Sequence, residues 1–268
     1  MQGKNVYGII AIVVVAVILT AACVHVIENP SQKDSGRIGI IGAMDEEVAS
    51  LKEAMKKDHT ETVSGMEFFF GKIGDCDIVV VQCGMGKVNA GICAQTLITK
   101  FNVKAIINTG VAGSLDNSLE IGDFVVSVDA VQHDFDVSPI GFERGEVPYT
   151  GKYSFEADKD LREKFVDAIH KCCPDVVVHE GRICSGDQFI SSHAQKDEIT
   201  SKYGGLCCEM EGGAVALVCY LNDVPFVIVR AVSDKADGSA EMDYEEFKRK
   251  AAERSAEAII YMLEHTTL

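Results

Sequence analysis

Apolar positions along this chain fall into runs of three kinds, and each kind points to a different element. The longest run, residues 6–24, carries no charge at all and is followed by a polar, linker-like stretch over 28–36. From Arg37 onward the runs are shorter, rich in isoleucine and valine, and several are apolar on both faces. Such runs predict strands buried inside a sheet at 37–43, 66–73, 77–83, 105–109, 123–131, 176–184 and 226–232. Between them, apolar residues recur at three- and four-residue spacing, which predicts helices at 44–57, 87–101, 158–173, 211–221 and 244–263. The alternation predicts an α/β protein, a three-layer α/β/α single domain over residues 36–268, preceded by a hydrophobic segment and linker over 1–35. No internal repeat and no second linker interrupts it.

The run over residues 6–24 is long enough to cross a bilayer as a helix at about 1.5 Å per residue. It is apolar all round, which argues against a buried core helix. Three readings stay open: a spanning anchor, a cleaved secretory signal that starts at Lys4, or a lipoprotein signal in which small residues precede Cys23. All imply a membrane. Lys4 on one side faces Lys33 and Arg37 on the other, so the positive-inside count barely orients the segment. A signal-like start points to the extracytoplasmic side.

Charge narrows the partners. Forty-one acidic residues against twenty-five basic ones give a formal charge of −16, so the surface repels phosphate backbones and excludes nucleic acid as an expected partner. Ten cysteines include the neighbours Cys172–Cys173 and Cys207–Cys208 but no C-x-x-C, a pattern of small buried hydrophobes rather than of zinc ligands or a disulfide framework. Such cysteines suit a reducing compartment, against the direction given by the leader.

Ligands in α/β folds bind at strand ends, and here these ends are loaded with glycine and carboxylates. They read Gly42-Ala43-Met44-Asp45-Glu46-Glu47, Cys83-Gly84-Met85-Gly86-Lys87, Thr109-Gly110-Val111-Ala112-Gly113, Cys208-Glu209-Met210-Glu211-Gly212 and Arg230-Ala231-Val232-Ser233-Asp234. Each alone is a weak signal, since a glycine pair after a strand is most often a tight turn. Five together point to a site.

With these residues in order, the chain resembles the 5′-methylthioadenosine/S-adenosylhomocysteine nucleosidases of the purine nucleoside phosphorylase superfamily. RIGIIGAMDEEV, CGMGKVNA, INTGVAGSL, SGDQFI, CEMEGGAVA and VRAVSD carry the resemblance from Arg37 to about the C-terminus. It implies a single α/β/α domain around a twisted mixed sheet, a homodimer, a small adenine nucleoside as substrate, and neither metal nor organic cofactor. The implied reaction is hydrolysis of an N-glycosidic bond, which needs an acid near the departing base and a base for the water. By the same resemblance Asp234 is the general acid, with Ser233 positioning it and a pKa raised by burial. Glu47 takes the proton from water, and Arg230 helps to hold that water and the nearby carboxylate. Glu211 accepts the ribose hydroxyls, with Glu209 in the preceding motif position and Met210 packed on the sugar. Phe189 stacks on the base beside Ile190, while Met44, Met85, Ala112, Gly113 and Tyr244 complete the binding residues. Val137, Ile140 and Pro148 belong to a loop that reaches the partner subunit.

Some positions depart from the family's pattern. Val111 stands where a serine is common, which removes a hydroxyl and predicts reduced turnover. Tyr244 stands where phenylalanine is common, and Ile140 where an aromatic residue is frequent. His133, Asp134 and Asp136 are spaced poorly for a metal and read as loop contacts. A phosphorylase of the same fold is disfavoured, because the stretch from Ile107 to Val111 offers neither arginine nor serine and Glu46 and Glu47 repel an anion. An aminodeoxyfutalosine nucleosidase shares nearly all these motifs, and a non-catalytic surface binding protein is the alternative from another class.

Overall fold

An apolar run bounded by glycine becomes β1 (Ile38–Gly42), buried at every position. The chain then forms α1 (Asp45–Ala54), β2 (Lys56–Val63), β3 (Met66–Ile73), β4 (Cys76–Gln82), α2 (Lys87–Thr99), β5 (Ala105–Ser114) and β6 (Phe124–Gln132). It continues through β7 (Phe155–Glu156), α3 (Lys159–Cys172), β8 (Val178–Ser185), α4 (His193–Tyr203), β9 (Cys207–Glu209), α5 (Gly212–Leu221), β10 (Phe226–Asp234) and α6 (Ala240–His265). This computed structural model describes residues 36–266. The run over 6–24, with Cys23, lies outside them. Among the described residues no helix is long and apolar enough to cross a membrane.

The ten strands make one mixed sheet. β1 lies between β4 and β5 in parallel, while β3 pairs antiparallel with both β2 and β4. At the other end the sheet closes on itself: β5 pairs with β10, β10 with β6, β6 with β8, β8 with β9, and β9 returns to β5. Helices cover both faces. α2 and α5 pack on one side, through Leu97, Cys93, Val215 and Cys219. α1, α3 and α6 pack on the other, through Leu51, Phe165, Ile259 and Met262. Of the nine cysteines described, seven are buried and none is in a disulfide, and the Sγ atoms of Cys172 and Cys173 lie 3.3 Å apart as a thiol contact.

Several differences from the sequence reading have physical causes, beside the short strands β7 and β9, which it did not predict. α1 stops at Ala54 rather than at Lys57, because Met55 turns extended and residues from Lys56 on pair with β3 through a tight turn in which Ser64 and Gly65 both have positive φ. β2 itself is an edge strand of mostly exposed polar residues, so it lacks the apolar alternation of a strand. β5 runs on past Thr109 to Ser114 with every residue buried, since β10 and β9 supply partners for its glycine-rich half. α4 carries few apolar residues, and its marks are its caps: the Ser192 side chain accepts Gln195 N, and Gly204 adopts the left-handed conformation.

The fully buried Phe165 anchors α3 against the core that α6 also covers. Phe165→Ala should lower unfolding free energy by about 3–5 kcal/mol, the usual range for a deleted core aromatic. Chemical denaturation followed by circular dichroism measures it, and a loss below about 1 kcal/mol would contradict this packing.

Candidate active site

The carboxyl ends of β1, β5, β9 and β10 converge on one cleft, lined by apolar side chains and by the carboxyls of Glu47, Glu209, Glu211 and Asp234. Glu47 reaches it from the first turn of α1, and a network of hydrogen bonds fixes it. Oε2 accepts Ala43 N at 2.6 Å and Met44 N at 3.0 Å, and Oε1 accepts Val111 N at 3.0 Å. Burial pushes its pKa up, while the Arg230 charge and these three N–H donors oppose the rise.

Arg230 lies behind the cavity wall with no exposed surface. Its Nη2 donates to Asn108 Oδ1 at 2.7 Å and to Glu209 Oε2, and its Nη1 donates to Thr109 O at 3.1 Å. Glu211 Oε2 stands 3.6 Å from the same Nη2. Room for this packing comes from Gly110, where a β-carbon would collide with both Arg230 Nη1 and Glu47 Oε1. Glu209 is saturated: Oε1 accepts from Ser185 Oγ, and Oε2 from Glu211 N at 3.0 Å and Gly212 N at 2.7 Å as well as from the guanidinium. Glu211 Oε1 accepts Gly86 N at 2.8 Å. Burial, then the charge of Glu209, pushes its pKa up to about 7. Burial and the neighbouring carboxylate thus both favour the protonated form of Glu211, against the pull of the Arg230 guanidinium.

Asp234 ends β10 at another part of the cavity wall. Its Oδ1 accepts Ala236 N and its Oδ2 accepts Ser233 Oγ, both at 2.9 Å. Burial raises its pKa above the ordinary carboxylate value, with Asp243 and Asp237 adding to the rise and the two hydrogen bonds opposing it. Gly113 faces it, where a β-carbon would stand 2.7 Å from Oδ1. The mouth is aromatic: Phe189 and Tyr244 meet edge to face with centroids 5.4 Å apart, and Tyr244 OH donates to Met44 Sδ at 3.0 Å. Burial raises the Tyr244 pKa to about 12, so this hydroxyl stays protonated.

The sequence-nominated residues Met44, Glu47, Met85, Ala112, Gly113, Phe189, Ile190, Glu209, Met210, Glu211, Ser233, Asp234 and Tyr244 all line this cavity. Arg230 touches them from behind. Val137, Ile140 and Pro148 do not line it: they sit in the segment between β6 and β7, with Ile140 well exposed. Val111 lines the wall as well, as do Ala43, Gln188 and Cys208, none of them nominated as a site residue although all four stand inside the quoted motifs. Asn108 and Ser185 were missed as well, and a buried polar residue inside a strand motif was the available signal. Asp134 binds Lys87 Nζ at 2.5 Å rather than joining His133 around a metal.

Comparison with known proteins follows the same outline. The model of the phosphorylase superfamily matches residues 37–264. A curated 5′-methylthioadenosine/S-adenosylhomocysteine nucleosidase from Staphylococcus aureus (strain JH9) is 42% identical over 223 residues, 83% of this chain and 96% of the relative. The nucleosidase of that name from Neisseria meningitidis, solved with methylthio-immucillin-A, superposes with a TM-score of 0.82 at 33% identity, covering 85% of this chain and 99% of that one. A futalosine hydrolase from Helicobacter pylori strain 26695 gives 0.81 at 33% identity, covering 85% and 97%.

The Glu211 carboxyl predicts a pH effect on stability. Its folded pKa of about 7 exceeds the ordinary 4.5, so its contribution to stability is complete below pH 4.5 and is lost as pH rises through about 7. In Glu211→Gln that loss should disappear, and urea midpoints should fall less between pH 4.5 and 7 than in the unaltered protein. Equal slopes would contradict the assignment.

Proposed function

This chain belongs to the phosphorylase superfamily and, within it, to the 5′-methylthioadenosine/S-adenosylhomocysteine nucleosidases, and on that premise we propose that it hydrolyses the N-glycosidic bond of both nucleosides named. The products are adenine and the 5′-substituted ribose. One observation carries the choice of water over phosphate: the cavity is lined by Glu47, Glu209, Glu211 and Asp234, and no lysine or arginine is among its lining residues. A phosphate dianion entering there would meet carboxylates without a compensating cation at the surface.

In this reading Asp234, protonated by virtue of its burial, delivers a proton to the imidazole ring of the departing adenine as the bond to C1′ lengthens. Ser233 keeps that carboxyl oriented. Glu47 takes a proton from the water that attacks C1′, and its three N–H partners hold one oxygen geometry throughout. Glu211 accepts hydrogen bonds from the two ribose hydroxyls, one at each carboxylate oxygen. Phe189 stacks on the base beside Ile190, Met210 packs on the sugar, and Met44 and Tyr244 face the 5′ substituent. A futalosine-type nucleoside is a second substrate candidate, supported by the likeness to the Helicobacter pylori hydrolase.

Two further proposals concern assembly and location. Val88, Ile92, Ile140 and Tyr149 are exposed apolar side chains, which supports a homodimer in which Val137, Ile140 and Pro148 approach the partner's cavity. The uncharged run over 6–24 supports attachment of the domain to a membrane, on its extracytoplasmic side. Sedimentation of the domain and fractionation of full-length protein test these, and a monomer or a fully soluble uncleaved chain would refute them respectively.

Assays with methylthioadenosine, S-adenosylhomocysteine and a futalosine-type nucleoside, with and without phosphate, test the main reading. Adenine and free sugar are expected whether or not phosphate is present, and ribose 1-phosphate as main product would overturn it. Asp234→Asn should cost about two to four orders of magnitude in kcat with binding affected much less. Near-normal turnover in a folded variant would remove Asp234 from the role of acid.

A further inference from the structure

Behind the wall that carries Phe189 and Ile190 lies a group of charged residues that the chemistry does not use. Lys87, the first residue of α2, sends Nζ to Asp134 Oδ1 at 2.5 Å and to Gln132 Oε1 at 3.2 Å. The other oxygen of Asp134 accepts Asp187 N at 2.8 Å. Asp187 closes the ring, because its own Oδ1 accepts Lys87 N at 2.7 Å. Four contacts thus join three separate pieces of chain: the turn with Met85, the segment after β6 with Asp134, and the loop after β8. Both the ammonium and the Asp134 carboxylate are largely shielded from water.

Every bond in this ring acts on a cavity wall through the backbone. The loop held by Asp134 places Gln188, Phe189 and Ile190 on the cavity within three residues of Asp187. The turn held by Asp187 places Met85 there, and Gly86 N next to it donates to Glu211. Gly86 has φ of +96°, and a β-carbon there would stand 3.1 Å from Asp187 Oδ1, so the turn fits the clamp only as glycine. Beneath the loop, the buried imidazole of His133 packs where any β-carbon on Gly186 would go, and His133 N donates to Ser185 O at 2.9 Å. Burial lowers the His133 pKa, which keeps a second cation away from Lys87. Asp134 stays ionised: partial burial opposes it, but the Lys87 ammonium and Asp187 N–H outweigh burial and hold its pKa below the ordinary value.

We propose that Asp134 is a positioning residue for nucleobase binding, clamping the turn with Met85 and the loop with Phe189 and Ile190 through its bridge between Lys87 Nζ and Asp187 N. This deepens the reading of the cavity as a nucleoside site and rests on it. The clamp touches neither the acid nor the base. It fixes groups that contact the bound nucleoside equally in ground state and transition state, so its loss weakens binding and leaves the chemical step alone. Charge-assisted bonds of this kind are the stronger class, and a loop released from them exchanges between positions at the cost of affinity.

Asp134→Asn tests this, because an amide in that place turns an N–H donor toward either the ammonium or Asp187 N. KM for methylthioadenosine should rise about tenfold while kcat stays within about twofold, the signature of lost uniform binding. Lys87→Met should do the same, the double variant should add little to either, and Lys87→Arg should keep KM near that of the unaltered enzyme. Amide hydrogen exchange of residues 186–190 should quicken in Asp134→Asn and Lys87→Met. If the unaltered enzyme cleaves no adenine nucleoside, the functional reading fails, and exchange at 186–190 still decides the clamp. Unchanged KM and unchanged exchange in folded Asp134→Asn or Lys87→Met would overturn the proposal. So would a fall in kcat matching that in kcat/KM, or a variant whose only change is a lower melting temperature.

Discussion

One buried guanidinium organises this site. Arg230 has no exposed surface, yet it faces three carboxylates, and a charge in that position is tolerable only while its partners stay in place. The fold supplies those partners from different strands. β5 gives Asn108 and Thr109 as neutral acceptors, β9 gives Glu209 as the direct ion-pair partner, and α1 brings Glu47 into range of the charge. Glu209 in turn is fixed by Ser185 and by the two N–H groups at the start of α5, so neither it nor the guanidinium can rotate freely.

From that arrangement follows a difference between the two carboxyls to which the proposed roles of acid and base are given. Glu47 and Asp234 are both buried, and burial raises both pKa values. The other influences differ in sign. Glu47 has Arg230 and three backbone donors on its side, all favouring the carboxylate. Asp234 has two hydrogen-bond donors, but its charged neighbours Asp237 and Asp243 are acidic and push toward the protonated form. Two carboxyls with environments of opposite charge are the pattern by which one fold holds a proton donor and a proton acceptor together near neutral pH.

Much of this was legible in the sequence, and what was not has a consistent cause. Apolar runs buried on both faces marked β1, β4, β6 and β10 within a few residues, because a strand inside a three-layer sheet must be apolar on both sides. β2 and α4 escaped because neither buries a continuous apolar face: β2 is an edge, and α4 seats mainly Lys196, Ile199 and Tyr203. β9 is three residues long, too short for any periodicity. The place of the site was readable from the glycines and carboxylates at five strand ends, and the residues themselves from the resemblance to a known family. The supporting residues were not: Asn108 and Ser185 look like ordinary strand residues until the sheet closes and sets them against Arg230 and Glu209.

Closure of the sheet also explains why glycine appears inside β5, where a strand would ordinarily be weakened by it. β5 pairs with β10 over Ile106 to Gly113 and with β9 at Gly113 and Ser114, and groups from β10, from the residues just after it and from α1 cross its surface. At Gly110 the crossing groups are the Arg230 guanidinium and the Glu47 carboxylate, and at Gly113 they are the Asp234 carboxylate and Ala236. Any side chain at either position would occupy the space in which the ion pair and the Asp234 carboxyl sit. Weak local strand propensity over these residues is therefore the condition for bringing carboxylates from α1, β9 and β10 to one cavity. The strand persists there because its neighbours, rather than its own side chains, hold it extended.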